Sequence, residues 1–187
     1  MTQVPPATPR GPGRGGRDDG GMASGATMAP IEIGRRADLA TAVRATLAAA
    51  IARDARTMLW ADPDFADWPL DDPALIDALA GWLRRPMRRL QLLACDFDAL
   101  ARAHPRFATW RVDWLHAVES RRPGVTDRVG LPTLLLDDGP VLLELLERDP
   151  PLGRAAHDAQ AAWRARDAIG PVWQRAEAAW PPRPLGL

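Results

Sequence analysis

Residues 131–149 read LPTLLLDDGPVLLELLERD, two apolar runs on either side of Asp137-Asp138-Gly139-Pro140. Each run has the length of a strand, and the acidic Asp-Gly-Pro punctuation between them is turn chemistry. Leu131 to Leu136 and Val141 to Leu146 are therefore expected to lie antiparallel as a hairpin. Upstream, Ile31 and Ile33 flank Glu32 in a short alternating stretch, and Leu39, Val43, Leu47 and Ile51 recur at every fourth residue, the spacing of an amphipathic helix. Thr57 to Trp60 is a short apolar run ended by Asp62-Pro63-Asp64. Asp71 or Asp72 can cap the next helix, with Pro73 in its first turn and Leu75, Leu79, Trp82 and Leu83 as its buried stripe. Pro86 ends that helix, and Arg88 to Cys95 reads as a strand closed by Asp96. Asp96 or Asp98 can cap a helix that carries Leu100, breaks near Pro105 and runs to about Asp113, after which Leu115 to Ser120 alternates as a strand. Downstream of the hairpin, the stretch from about Gly153 to Trp180 reads as a last helix, with Trp163, Ile169 and Trp173 near one side and a break or kink at Gly170-Pro171. This order predicts one α/β domain over residues 31–187, a mixed sheet flanked by helices.

Composition removes several chemistries. The 187 residues include 24 basic side chains, all arginine, against 24 acidic ones, and no lysine, asparagine or tyrosine. A lysine Schiff base and a Walker A phosphate loop both need a primary amine and are excluded. The two serines, Ser24 and Ser120, lie outside any Gly-x-Ser-x-Gly setting, which argues against a serine hydrolase. Zero formal charge supplies no global field for polyanions, so this reading disfavours nucleic acid as a partner, with arginine patches as the alternative route to RNA. Cys95 stands alone in an apolar run, where a buried, inert thiol is expected, and a single cysteine fits a reducing compartment. Residues 1–30 hold proline, glycine and arginine with few large apolar side chains and are expected to be a disordered tail. Its segment RGPGRGGR, residues 10–17, is similar to arginine-glycine stretches that touch RNA, while Met22 and Met28 offer alternative starts. No apolar stretch of about 7 to 15 residues marks a secretory signal and none nears the roughly 18 needed to span a bilayer, so a cytoplasmic address without membrane contact is expected.

Few residues remain that could do chemistry. His104, His116 and His157 have no helical i, i+4 spacing, so no metal site is expected, nor any cofactor. Asp62, Asp64, Asp67, Asp71 and Asp72 share a loop after a strand, the place where ligands bind in open sheets, though turn and cap duties are the ordinary explanation for them. Arg84, Arg85, Arg88 and Arg89 form one basic cluster, and Arg121, Arg122 and Arg128 another. Asp62, Asp64, His116, Arg121 and Arg122 form the candidate ligand or anion site; convergence in one cleft would favour it, and scatter would leave only an interaction role. The tryptophans are expected in the core or at an interface.

The hairpin followed by the helix carrying Ile169-Gly170-Pro171-Val172-Trp173 resembles half of a phospholipase D-type domain, in which a late strand bears H-x-K-x4-D before a turn, a second strand and a helix ending in F-x3-W. WADPDFADWPL, RRLQLLACDF and HPRF further resemble a bacterial domain, found alone or after a GNAT-type acetyltransferase, that is similar to a degenerate member of this fold. The resemblance covers about residues 31–180 and implies a phospholipase D-like half-domain, a homodimer, and an acyltransferase as a candidate protein partner. It carries over no catalytic residue. With Asp138 at the motif aspartate, the histidine and lysine positions are Leu131 and Thr133; with Asp137 there, they are Gly130 and Pro132. None of these side chains can attack phosphorus or clamp its oxygens. The resulting expectation is a noncatalytic binding or regulatory module. The alternative is an acyltransferase-associated enzyme with a pocket near His116 and the Asp62 to Asp72 loop.

Overall fold

The computed structural model describes Met1 and residues 28–181. One eight-stranded mixed sheet organises them, in the order β1 (Ile31–Ile33), β7 (Pro151–His157), β6 (Val141–Arg148), β5 (Thr133–Asp137), β2 (Thr57–Ala61), β3 (Arg89–Leu93), β4 (Val118–Arg122), β8 (Glu177–Ala178). Only β2, β3 and β4 run parallel; every other pairing is antiparallel. The helices are α1 (Arg36–Ala52), α2 (Pro73–Leu83), α3 (Phe97–Ala103), α4 (Pro105–Val112), α5 (Val125–Arg128) and α6 (Ala159–Arg175). No described helix is long and apolar enough to cross a membrane. The expectation for residues 1–30 falls mostly outside the described residues, although Met28 is partly buried against the core.

The expected hairpin is β5 and β6, with Leu136 opposite Leu142. Asp137 closes its turn: Oδ1 accepts the N–H groups of Gly139 (2.8 Å) and Val141 (2.9 Å), and Oδ2 accepts Arg53 Nε at 3.2 Å. Alternation along the strands separates two cores. Met58, Trp60, Leu90, Leu92, Leu135 and Leu143 join α1 and α2 on one face, whereas Ala61, Leu93, Leu136 and Leu142 meet Ile169 and Trp173 of α6 on the other. Asp72 caps α2 through Ala74 N and Asp96 caps α3 through Ala99 N, two of the expected caps, and Pro105 starts α4 where the helix was expected to break.

Three expectations are corrected. The segment read as the start of a last helix from Gly153 is strand β7, hydrogen-bonded on both sides to β1 and β6. Its Pro-Leu-Gly-Arg-Ala-Ala-His sequence has little intrinsic strand preference; pairing with two neighbours overrides propensity. Gly153 permits the close approach, because a Cβ there would stand 2.2 Å from the Glu144 carbonyl oxygen and 2.8 Å from Leu145 Cα. Gly153→Ala is thus expected to destabilise the fold by about 1–3 kcal/mol, read as a lowered melting temperature; an unchanged one would contradict this β6–β7 contact.

Of the break or kink expected at Gly170-Pro171, the break is absent: α6 runs through Pro171 to Arg175. Ala161 and Ala162 before the proline and Trp173 after it are all buried against the sheet, and this packing on both sides outweighs the ring's local cost, about 3 kcal/mol in a helix interior. The strand expected at Leu115 to Ser120 begins only at Val118, since residues 113–117 form turns closed by Ala117 N and Val118 N bonding to Trp114 O.

Candidate functional site

The carboxyl ends of β2, β3 and β4 lie on one side of the sheet, where loop residues can gather around a ligand. Asp62 follows β2 directly and is 1 % exposed. Its Oδ1 accepts Asp64 N (3.0 Å) and Phe65 N (2.7 Å), and its Oδ2 accepts Trp68 Nε1 (3.1 Å) and Thr133 Oγ1 (2.6 Å). Arg148, at the end of β6, brings Nη1 to 3.4 Å from Asp62 Oδ1 and donates Nη2 to Asp64 Oδ1 at 3.0 Å. The carboxylate therefore ties the β2 loop to β5 and β6 with its lone pairs committed. Burial pushes the Asp62 carboxyl above its usual range, against the pull of Thr133 and Arg148. Partial burial also presses upward on Asp64, but the Ala66 N–H and Arg148 outweigh it and hold Asp64 below the usual range.

Phe65 completes this loop in the left-handed region (φ +56°), a strained conformation for a buried aromatic residue. His104 holds it there, donating Nε2–H to the Phe65 carbonyl at 2.9 Å; because a carbonyl only accepts, this bond fixes the proton on Nε2. The buried His104 is thereby a support for the loop. Cys95, expected to be buried, is only half-buried after β3, and burial pushes its thiol up.

The five candidate residues do not converge. Asp62 and Asp64 share the β2 loop and one arginine. His116 is exposed in the turn before β4, and since β4 is parallel to β3 and β3 to β2, it lies at the opposite end of the strands, roughly 16 Å away along a five-residue strand. Arg121 is level with Leu93 and Ala61 but faces α6, where its guanidinium stands 4.7 Å from the Trp173 ring, donates to Trp173 O at 3.1 Å and pairs with Glu119. Arg122 points to the other face, into a cleft with Phe97, Asp98 and Trp180. Of the first basic cluster, Arg85 and Arg88 both pair with Asp54, leaving Arg84 and Arg89 exposed outside the described ion pairs. Among the described residues, no group of three or more His, Cys, Asp or Glu side chains could hold a metal ion.

Sequence reasoning missed Arg148, the cation between Asp62 and Asp64. The two partners are more than 80 residues apart in the chain, and only the β5–β6 register delivers Arg148 to the β2 loop. It also missed Arg111, a guanidinium 3 % exposed on α4 against the Trp180 ring.

No protein-family model and no curated protein matches this chain. Among solved structures, the fold is similar to that of TrmBL2, an archaeal chromatin protein whose structure shows a novel mode of DNA binding, with a TM-score of 0.57 and 14% sequence identity. The match covers 81% of this chain and 55% of TrmBL2, so this chain corresponds to about half of that protein. At this identity the likeness is one of fold. It nevertheless corrects the expectation that disfavoured nucleic acid as a partner, because the fold occurs in a DNA-binding protein. The physical reason is that net charge is a sum: zero overall is compatible with local stretches of unpaired arginine.

Proposed function

We propose that the chain is a noncatalytic α/β binding or regulatory module built on a degenerate phospholipase D-like half-domain. The observation that carries this reading is the inward use of Thr133. This residue stands at the motif's lysine position when Asp138 is taken as the aspartate, and its hydroxyl donates to the buried Asp62 at 2.6 Å. Leu131, at the nucleophile position, is 5 % exposed in the core beneath α6. The two places where phosphoryl transfer needs an attacking imidazole and a cation are thus used for packing and for loop support. The scatter of His116, Arg121 and the Asp62 loop also weighs against a pocket enzyme.

A second observation favours a particular partner class. The fold is shared with a DNA-binding chromatin protein, and Arg84, Arg89, Arg102 and Arg106 are exposed outside the described ion pairs. Arginine at such positions contacts phosphates and releases counterions, so duplex DNA is the ligand to try first.

Two measurements test the reading. Purified protein is expected to hydrolyse a phosphodiester no faster than a Leu131→Ala, Thr133→Ala double variant, and turnover above that control defeats the noncatalytic assignment. Binding to duplex DNA, followed by fluorescence anisotropy, is expected to weaken steeply between about 50 and 200 mM salt. Absence of binding at the lower salt removes DNA as the partner.

A further inference from the structure

After α6 the chain does not leave the fold. Residues 176–181 add β8 to the edge of β4, with Ala179 N donating to Ser120 O at 2.9 Å, and then turn Trp180 back over α3 and α4. The Trp180 indole stacks on Phe97 at 5.1 Å and lies 3.9 Å from Arg111 Cζ. Its backbone sits at φ +56°, a region that residues with large side chains rarely adopt. The strap is therefore held by what its side chain covers.

Arg111 beneath it is unusual. It is 3 % exposed, no carboxylate among the described residues pairs with it, and its Nε has no hydrogen-bond partner. Burial alone pushes its guanidinium down to about 10, which still leaves it charged at neutral pH. The Ser120 hydroxyl, 6 % exposed on β4, is also without a hydrogen-bond partner. Arg111 and Ser120 both line one cleft of about 300 Å³, walled by Trp180 and Pro181 with Arg89 and His116 also in its lining. Glu119 is the one carboxylate of that lining, and Arg121 already holds it at 2.6 Å.

A buried cation without a counter-charge and a buried hydroxyl without a partner are each costly, and the two residues that carry them line the same cavity. One negatively charged acceptor placed there satisfies both, because guanidinium and hydroxyl donate and an oxyanion accepts. We propose that the cleft beneath the C-terminal strap is an oxyanion-binding site, in which Arg111 and Ser120 hold a carboxylate or phosphoryl group against the Trp180 wall. This site is distinct from the Asp62 loop and does not rest on the function proposed above.

Isothermal titration calorimetry of the full chain with inorganic phosphate and, separately, with acetate, at an ionic strength held constant with chloride, tests the site. A saturable heat is expected for one of the two anions, and which one responds distinguishes a phosphoryl from a carboxylate ligand. Arg111→Met is expected to weaken binding by about tenfold or more, since it removes the charge-assisted bonds. Ser120→Ala is expected to weaken binding several-fold and decides the matter if Arg111→Met does not fold. No saturable heat with either anion up to tens of millimolar, on the order of the weakest specific affinities, overturns the proposal. So does an affinity unchanged in the folded variants, or heat with duplex DNA and none with either small anion.

Discussion

Asp62→Ala is expected to lower the unfolding free energy by about 3–5 kcal/mol, because it strips one buried carboxylate from four hydrogen-bond donors and an arginine at once. Asp64 N, Phe65 N, Trp68 Nε1 and Thr133 Oγ1 would each lose an acceptor, and Arg148 would keep only Asp64. The Phe65 backbone, strained at φ +56°, would lose one of the bonds that hold it and keep that to His104. A loss of this size is a large fraction of the stability of an ordinary domain, about 5–15 kcal/mol. Urea unfolding followed by tryptophan fluorescence measures it, and a loss below about 1 kcal/mol would show that the loop is held by other contacts.

The pH dependence carries a sign that separates Asp62 from the other shifted carboxylates. Its carboxyl is raised by burial, so its contribution to stability is fully present below the unfolded pKa and is lost as pH rises through the raised folded value. Asp38, Asp54, Asp64, Asp72 and Asp158 are held low, and their contributions are present above the unfolded pKa and lost as pH falls through the depressed folded values. Acid is therefore expected to weaken the protein, with Asp62 opposing that trend. In Asp62→Asn the opposition is removed, and the stability gap to the parent should widen as pH is lowered; a gap that narrows would reverse the assigned direction.

Trp82→Ala is the second large effect, expected to cost about 3–5 kcal/mol. Trp82 is 1 % exposed on α2, within the core between that helix and the sheet, and its Nε1 donates to the Ala55 carbonyl at 2.7 Å. The substitution opens a cavity and also frees a carbonyl in the turn that feeds β2. Trp82→Phe should cost less, because the ring volume is largely kept and only the hydrogen bond is lost. A Phe variant as unstable as the Ala variant would place the energy in the Nε1 bond instead of the packing.

Local chemistry was a good guide wherever one segment settles its own structure. The α1 stripe Leu39, Val43, Leu47, the Asp72 and Asp96 caps, and the turn at Asp137–Pro140 were all legible, because helix periodicity, capping and turn formation act over a few residues. Legibility failed where distant elements overrule local preference. Pro151–His157 is a strand because β1 and β6 pair with it, and Pro171 stays inside α6 because Trp173 must reach the sheet. Trp180 followed the same rule, read as the end of a helix and found as a strap over Arg111.

For the candidate site the division is sharper. The sequence by itself determined what chemistry is available: no lysine and no Gly-x-Ser-x-Gly serine. Residue types follow from composition and spacing alone. Only the tertiary structure decided which groups meet, sending His116 and Asp62 to opposite ends of the strands, turning Arg121 and Arg122 to opposite faces, and bringing Arg148 to Asp62 and Ser120 to the cleft of Arg111. Strand order and register make those choices, and both depend on pairings between segments far apart in the chain, which no local pattern encodes.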